Sequence, residues 1–154
     1  WRVVPSIAGG GLFFDLASHQ LDLLDFLFGP IKEARGTTAS HLPYYDAEDT
    51  ISASFQFSSG VIGSGSWCFC ASERHDRIEL IGEGGQIDFS TFSFAPITLR
   101  NSAQQRFDIA PPPHVQQPLL ESVVRALRGE GECPSTGQSG ARTSRIMEQI
   151  IYAP

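Results

Sequence analysis

The chain has 154 residues, enough for one domain with a real core. Its formal charge of -6 argues against a general nucleic-acid surface. No stretch is long and apolar enough to span a bilayer, because Asp15, Asp22 and Asp25 interrupt the most apolar one. Only 18% of the residues are charged; with eleven Phe and fifteen Gly, this suggests sheet and tight turns. Three cysteines make neither a disulfide framework nor a zinc or CxxC pattern, so a reducing, cytoplasmic compartment is expected. The first residue is Trp rather than Met, and the chain reads as part of something longer.

In WRVVPSIA, Trp1 is expected to anchor against the core. Arg2 is then free to bind an anion or to remain an ordinary surface arginine. GGGLFFDLASHQLDLLDFLFG, residues 9–29, follows. Three glycines open it and Gly29-Pro30 stops it, so the segment between reads as one helix of about four turns, starting at Asp15 or slightly earlier. Leu16, Leu23, Leu24 and Leu27 give it an apolar body, and Asp15, His19 and Asp22 form a polar line. Three readings stay open. Asp15 caps the helix and His19 is its i,i+4 partner. The carboxylate orients an imidazole that exchanges protons near neutral pH. The pair belongs to a metal site, for which two ligands are too few.

Residues 31–41 read as a strand interrupted by Gly36, and 42–47 as a turn. In DTISASFQFSSG, Ile51, Ala53, Phe55 and Phe57 alternate with polar residues, the period of a half-buried strand. VIGSGSWCFC returns as its hairpin partner, with Cys68 and Cys70 pointing the same way. HDRIELIG, QIDFSTF, FAPITLR and QQRFDI complete a meander of six to seven strands. GEGG at 82–85 joins two strands rather than opening a helix, so it is not a nucleotide loop. After Pro111-Pro112-Pro113, a helix over 117–128 should bury Leu119, Leu120, Val123, Val124 and Leu127. A third, about 140–152, is capped by Ser139 or Thr136 and buries Ile146, Met147, Ile150 and Ile151. Arg142 and Arg145 face solvent or pair with acidic groups. The fold class is therefore α/β (α+β): an open, predominantly antiparallel sheet with helices on one face.

The glycine-run, Asp-x-x-x-His-x-x-Asp helix resembles that of the glucose-fructose oxidoreductase / inositol dehydrogenase / MocA family. WRVV, EDTISASFQFSSGVIGSGSW, IELIGEGGQIDF and PLLESVVRALRGEGECPSTGQSGARTSRIMEQII agree in order, so the resemblance covers essentially the whole chain. It implies a C-terminal substrate-binding and oligomerisation domain over 1–154, with the N-terminal Rossmann domain absent. It implies NAD or NADP held mainly by that missing domain, a carbohydrate-like small-molecule substrate, and a homo-dimer or tetramer formed through the open sheet. The family's catalytic histidine maps onto His19 and its aspartate onto Asp15. Arg2, Tyr44, Arg74, His75 and His114 are further pocket candidates by position or polarity; cofactor-binding residues are unassigned. The expected function is hydride transfer between a nicotinamide cofactor and a sugar, polyol or derivative, with this fragment inactive alone. The alternative is a non-catalytic binding or oligomerisation module of the same fold.

Overall fold

The computed structural model describes residues 1–152. In chain order its elements are α1 (Pro5–Ala8), a π-helical turn (Phe13–Ala17), α2 (Ser18–Phe28), β1 (Ile31–Ala39), β2 (Thr50–Phe57), β3 (Ile62–Cys68), β4 (Ile78–Gly82), β5 (Gly85–Phe89), β6 (Ile97–Arg100), β7 (Gln104–Phe107), α3 (Gln117–Leu127) and α4 (Gly137–Tyr152). They form two compact units. One contains residues 1–72 and the segment from Ser135 onward; the other contains residues 73–134. The seven antiparallel strands divide between them as sheets of three and four, where the sequence suggested one meander.

In the first unit β2 is central. β1 and β3 pair with it antiparallel, in a register that sets Gly36 beside Ala53 and Ser54 beside Ser64. The alternation expected of β2 is realised: Ile51, Ala53, Phe55 and Phe57 are buried, while Ser52, Ser54 and Gln56 are exposed. The helices cover only the apolar face. Phe13, Ala17 and Leu21 recur every fourth residue through the π turn into α2 and are fully buried, and α4 adds Ile146, Met147 and Ile150. Phe13 meets Trp67 edge-on at 5.0 Å, and the Trp67 indole N–H donates to Gln20 at 2.5 Å.

Two polar contacts fix α4 against α2. The Arg142 guanidinium grips the buried Asp25 carboxylate through two bonds, at 2.7 and 3.3 Å, and the Thr143 hydroxyl donates to Asp22 at 3.2 Å. At the far end of α4, the Tyr152 hydroxyl donates to the Gly9 carbonyl at 2.7 Å, and its ring stacks on Phe14. The residue before the helix, Thr136, accepts from the Ser139 N–H at 3.3 Å, while the Ser139 hydroxyl accepts from the Thr136 N–H at 2.9 Å. Thr136 is thus the cap and Ser139 lies one turn inside.

In the second unit, β4 to β7 pair in sequence order. Asp88 gathers Arg77, Arg100 and Gln86 around it. Burial opposes its charge, but Arg77 and Arg100 outweigh that and hold its carboxyl below the ordinary value. The helix expected at 117–128 is present as α3, but its expected buried face is not. None of its residues is buried, and Leu127 is 83% exposed. The 3.6-residue period marks an apolar stripe without saying what covers it.

Gly36 is the tightest constraint in the first unit. A Cβ there would stand 2.5 Å from the Ile150 carbonyl oxygen and 2.6 Å from that residue's side chain. Gly36→Ala is therefore expected to lower the thermal midpoint clearly, whereas Gly82→Ala, with open space around it, should change little. Ile150→Ala should cost about 2–5 kcal/mol in denaturant titration, the usual range for emptying a fully buried site.

Candidate functional site

The glycine run ends against the loop before β2. The Gly11 N–H donates to the Glu48 carboxylate at 2.9 Å, and a Cβ at Gly11 would meet the Glu48 carbonyl at 2.6 Å. Only glycine allows that approach. The next turn is π-helical, a widening that inserts backbone where an α-helix was expected. Asp15 sits within it and makes no N-cap, so the capping reading is corrected. Its carboxylate instead meets Arg2, with Nη1 and Oδ2 3.0 Å apart. That oxygen is shielded from solvent and has no hydrogen bond of good geometry among the described residues. The pair is held by charge rather than by alignment. Trp1, expected to anchor in the core, is 74% exposed; the Arg2 guanidinium lies 5.6 Å from its ring centre.

The predicted polar line therefore splits. Asp22 and Asp25 face α4 and are structural. Asp15 turns to Arg2, and His19, in the first turn of α2, is exposed. Tyr44 belongs to the same unit but is 82% exposed in the turn before β2. Arg74, His75 and His114 lie in the second unit, where Arg74 donates to the Phe92 carbonyl at 3.5 Å and His114 lines a groove beside α3 with Leu120 and Val124.

A second constellation was not singled out from the sequence. Asp49, immediately before β2, is completely buried. Its Oδ2 accepts the backbone N–H groups of His41 at 2.7 Å and Leu42 at 2.8 Å, and its Oδ1 accepts the Thr50 hydroxyl at 2.9 Å and lies 3.0 Å from His41 Nδ1. Burial works against the charge, yet the Leu42 and His41 amides, the imidazole and the hydroxyl hold the carboxyl well below the usual carboxylate range. Asp49 ties the 40–49 turn to the start of β2. His41, Asp49 and Cys70 place potential ligand atoms within 4.8 Å of one another. The available signal was an aspartate between a turn and a strongly alternating strand, but its amide partners lie seven and eight residues upstream.

The sequence profile of the GFO/IDH/MocA C-terminal domain matches residues 1–88. The chain belongs to that family. It is 31% identical over 148 residues to Oxidoreductase P35 of Formosa agariphila, covering 96% of this chain and 46% of that protein. It is 26% identical over 146 residues to 1,5-anhydro-D-fructose reductase of Ensifer adhaerens, covering 91% and 44%. Among solved structures it resembles the WlbA dehydrogenase of Bordetella pertussis in complex with NADH and UDP-GlcNAcA, with a TM-score of 0.68 and 25% identity over 92% of this chain and 41% of that one. The chain thus spans about half the length of the curated relatives it matches. The family assignment and the antiparallel α/β architecture expected from the sequence both hold. No helix among the described residues is long and apolar enough to cross a membrane.

The sign of the Asp49 effect gives a test. A carboxyl depressed by folding stabilises the native state fully above its ordinary value of about 4, and loses that contribution as pH falls further. Asp49→Asn should lower the thermal midpoint at neutral pH and flatten the loss of stability on acidification below about pH 4. Thermal melts of both proteins across that range measure this; parallel curves would show that Asp49 does not set the acid limb.

Proposed function

We propose that this chain is the substrate-binding half of an NAD(P)-dependent oxidoreductase acting on a sugar, polyol or derivative. His19 exchanges the proton of the reacting hydroxyl or carbonyl, and Asp15 binds the substrate or orients His19. The observation that carries the reading is the half-buried Asp15, ion-paired with Arg2 through an Oδ2 that has no well-aligned hydrogen bond among the described residues, one turn before an exposed histidine. A substrate hydroxyl is the kind of donor such an oxygen lacks. The similar proteins support the chemistry: one is a reductase of 1,5-anhydro-D-fructose, and another was crystallised with NADH and a nucleotide sugar.

In this reaction a bound nicotinamide supplies or takes the hydride. The Gly82–Gly85 turn joins β4 to β5 rather than opening a helix. Under this proposal dinucleotide binding belongs mainly to a partner domain. This chain's contribution is proton handling and substrate positioning. Arg2 and Tyr44 are proposed to help bind the substrate. Ser52, Ser54, Ser64 and Ser66 lie on the uncovered face of the three-stranded sheet, with the exposed Arg35–Glu33 pair of β1 beside them; this polar face is proposed to receive a second subunit in a dimer or tetramer.

The intact protein should bind NAD or NADP and change nicotinamide absorbance with a member of a sugar and polyol panel. His19→Ala should retain cofactor binding and lose about 10²- to 10⁴-fold in kcat, the usual contribution of a general acid–base. An intact protein that binds neither nicotinamide would overturn the reading. Full activity in the His19 variant would remove that residue from the proton step.

A further inference from the structure

We propose that Cys68 and Cys70 are a reversible redox pair, in which Cys68 attacks a small disulfide and Cys70 resolves the adduct into an intramolecular Cys68–Cys70 disulfide. The geometry comes from the end of β3. Cys68 is its last residue and lies beside Thr50 in the register. Phe69 is pinned between the two cysteines: its N–H donates to the Asp49 carbonyl at 2.7 Å, and its side chain packs against the core. With that residue held, positions 68 and 70 put their sulfurs on one side, 3.4 Å apart. Bond formation thus starts from contact.

The two thiols are not equivalent. Cys68 is the exposed one, and the Cys70 thiol beside it draws its own thiol below the ordinary value. At Cys70 the Thr50 hydroxyl favours the thiolate, but the interaction with Cys68, burial and the Asp49 charge outweigh it and push the thiol up. The attacking sulfur is therefore the more accessible one, that of Cys68. The Cys68 thiolate displaces one thiolate from the small disulfide, leaving a mixed disulfide. Cys70 then loses its proton to the expelled thiolate and attacks the Cys68 sulfur, expelling the second thiolate. Two protein thiols are oxidised by two electrons, and one small disulfide is reduced to two thiols. A bridge between residues two apart at an exposed strand end belongs to the labile class, so reduction reverses it.

The test equilibrates the reduced intact protein across a series of reduced-to-oxidised glutathione ratios, quenches it in acid, alkylates it and maps its peptides by mass spectrometry. A Cys68–Cys70 crosslink should grow with the oxidised fraction and vanish with added reductant, while Cys133 stays alkylated. Cys70→Ser should stop at glutathione on Cys68. Cys68→Ser should carry at least about tenfold less glutathione on Cys70, since the less accessible thiol reacts more slowly. Circular dichroism checks that both variants fold. Thiols that stay free at every ratio overturn the proposal, as does equal glutathione uptake in the two variants. Stoichiometric zinc that protects both cysteines until chelated also overturns it, making the His41, Asp49 and Cys70 cluster a metal centre.

Discussion

The backbone of α4 at Ile150 rests on the backbone of β1 at Gly36, with no room for a side chain between them. That contact sets the distance between the helical layer and the three-stranded sheet. Once α4 lies so close, Ile146, Met147 and Ile150 reach the apolar row of β2, and Arg142 and Thr143 come within reach of α2. The Arg142–Asp25 pair does a different kind of work. Taking a carboxylate and a guanidinium partly out of water costs about as much as their attraction returns, so such a pair specifies an arrangement more than it adds stability. Here it selects one rotation of α2 against α4. The direction in which α2 presents His19 follows from that rotation.

Much of this architecture is written in local pattern. The alternation from Ile51 to Phe57 fixes which face of β2 is inward, and the following Ser59-Gly60 fixes its hairpin partner. The periodicity of Ile146, Met147 and Ile150 fixes the face of α4. What escaped the sequence was set by distant partners. The π turn at Phe13–Ala17 has no composition of its own; it lies between the close contact at Gly11 and the buried Phe13, Ala17 and Leu21. The stripe on α3 has a helical period as clear as that of α4, yet none of its residues is buried. Periodicity encodes a face, and burial requires something to meet it.

The candidate site was legible to the same degree. Spacing alone put Asp15 and His19 one turn apart but favoured a cap, because an aspartate near a helix start usually caps it. The π turn and Arg2 remove that role. Asp49 was harder, since a carboxylate that collects amides from seven and eight residues upstream leaves no short motif. Its importance lies in position. It anchors the strand start whose Thr50 faces Cys68, so one buried charge organises both the turn before β2 and the thiols at the end of β3.

Two Asp–Arg pairs reach the same helical segment, and burial gives them different properties. Asp25 is enclosed and gripped by two aligned bonds, so losing Arg142 would strand a charge away from water. Asp15 meets an Arg2 whose side chain is 57% exposed, in a geometry that makes no proper hydrogen bond. A pair of that sort is worth about 0–1 kcal/mol, because water competes for the guanidinium. A ligand hydroxyl that donates a well-aligned bond to Asp15 can therefore replace or share the contact at little cost. Under the proposed function, the weak pair is the one that must be able to open. It stands one turn from His19, whereas the strong pair lies deeper in the helix, against α4.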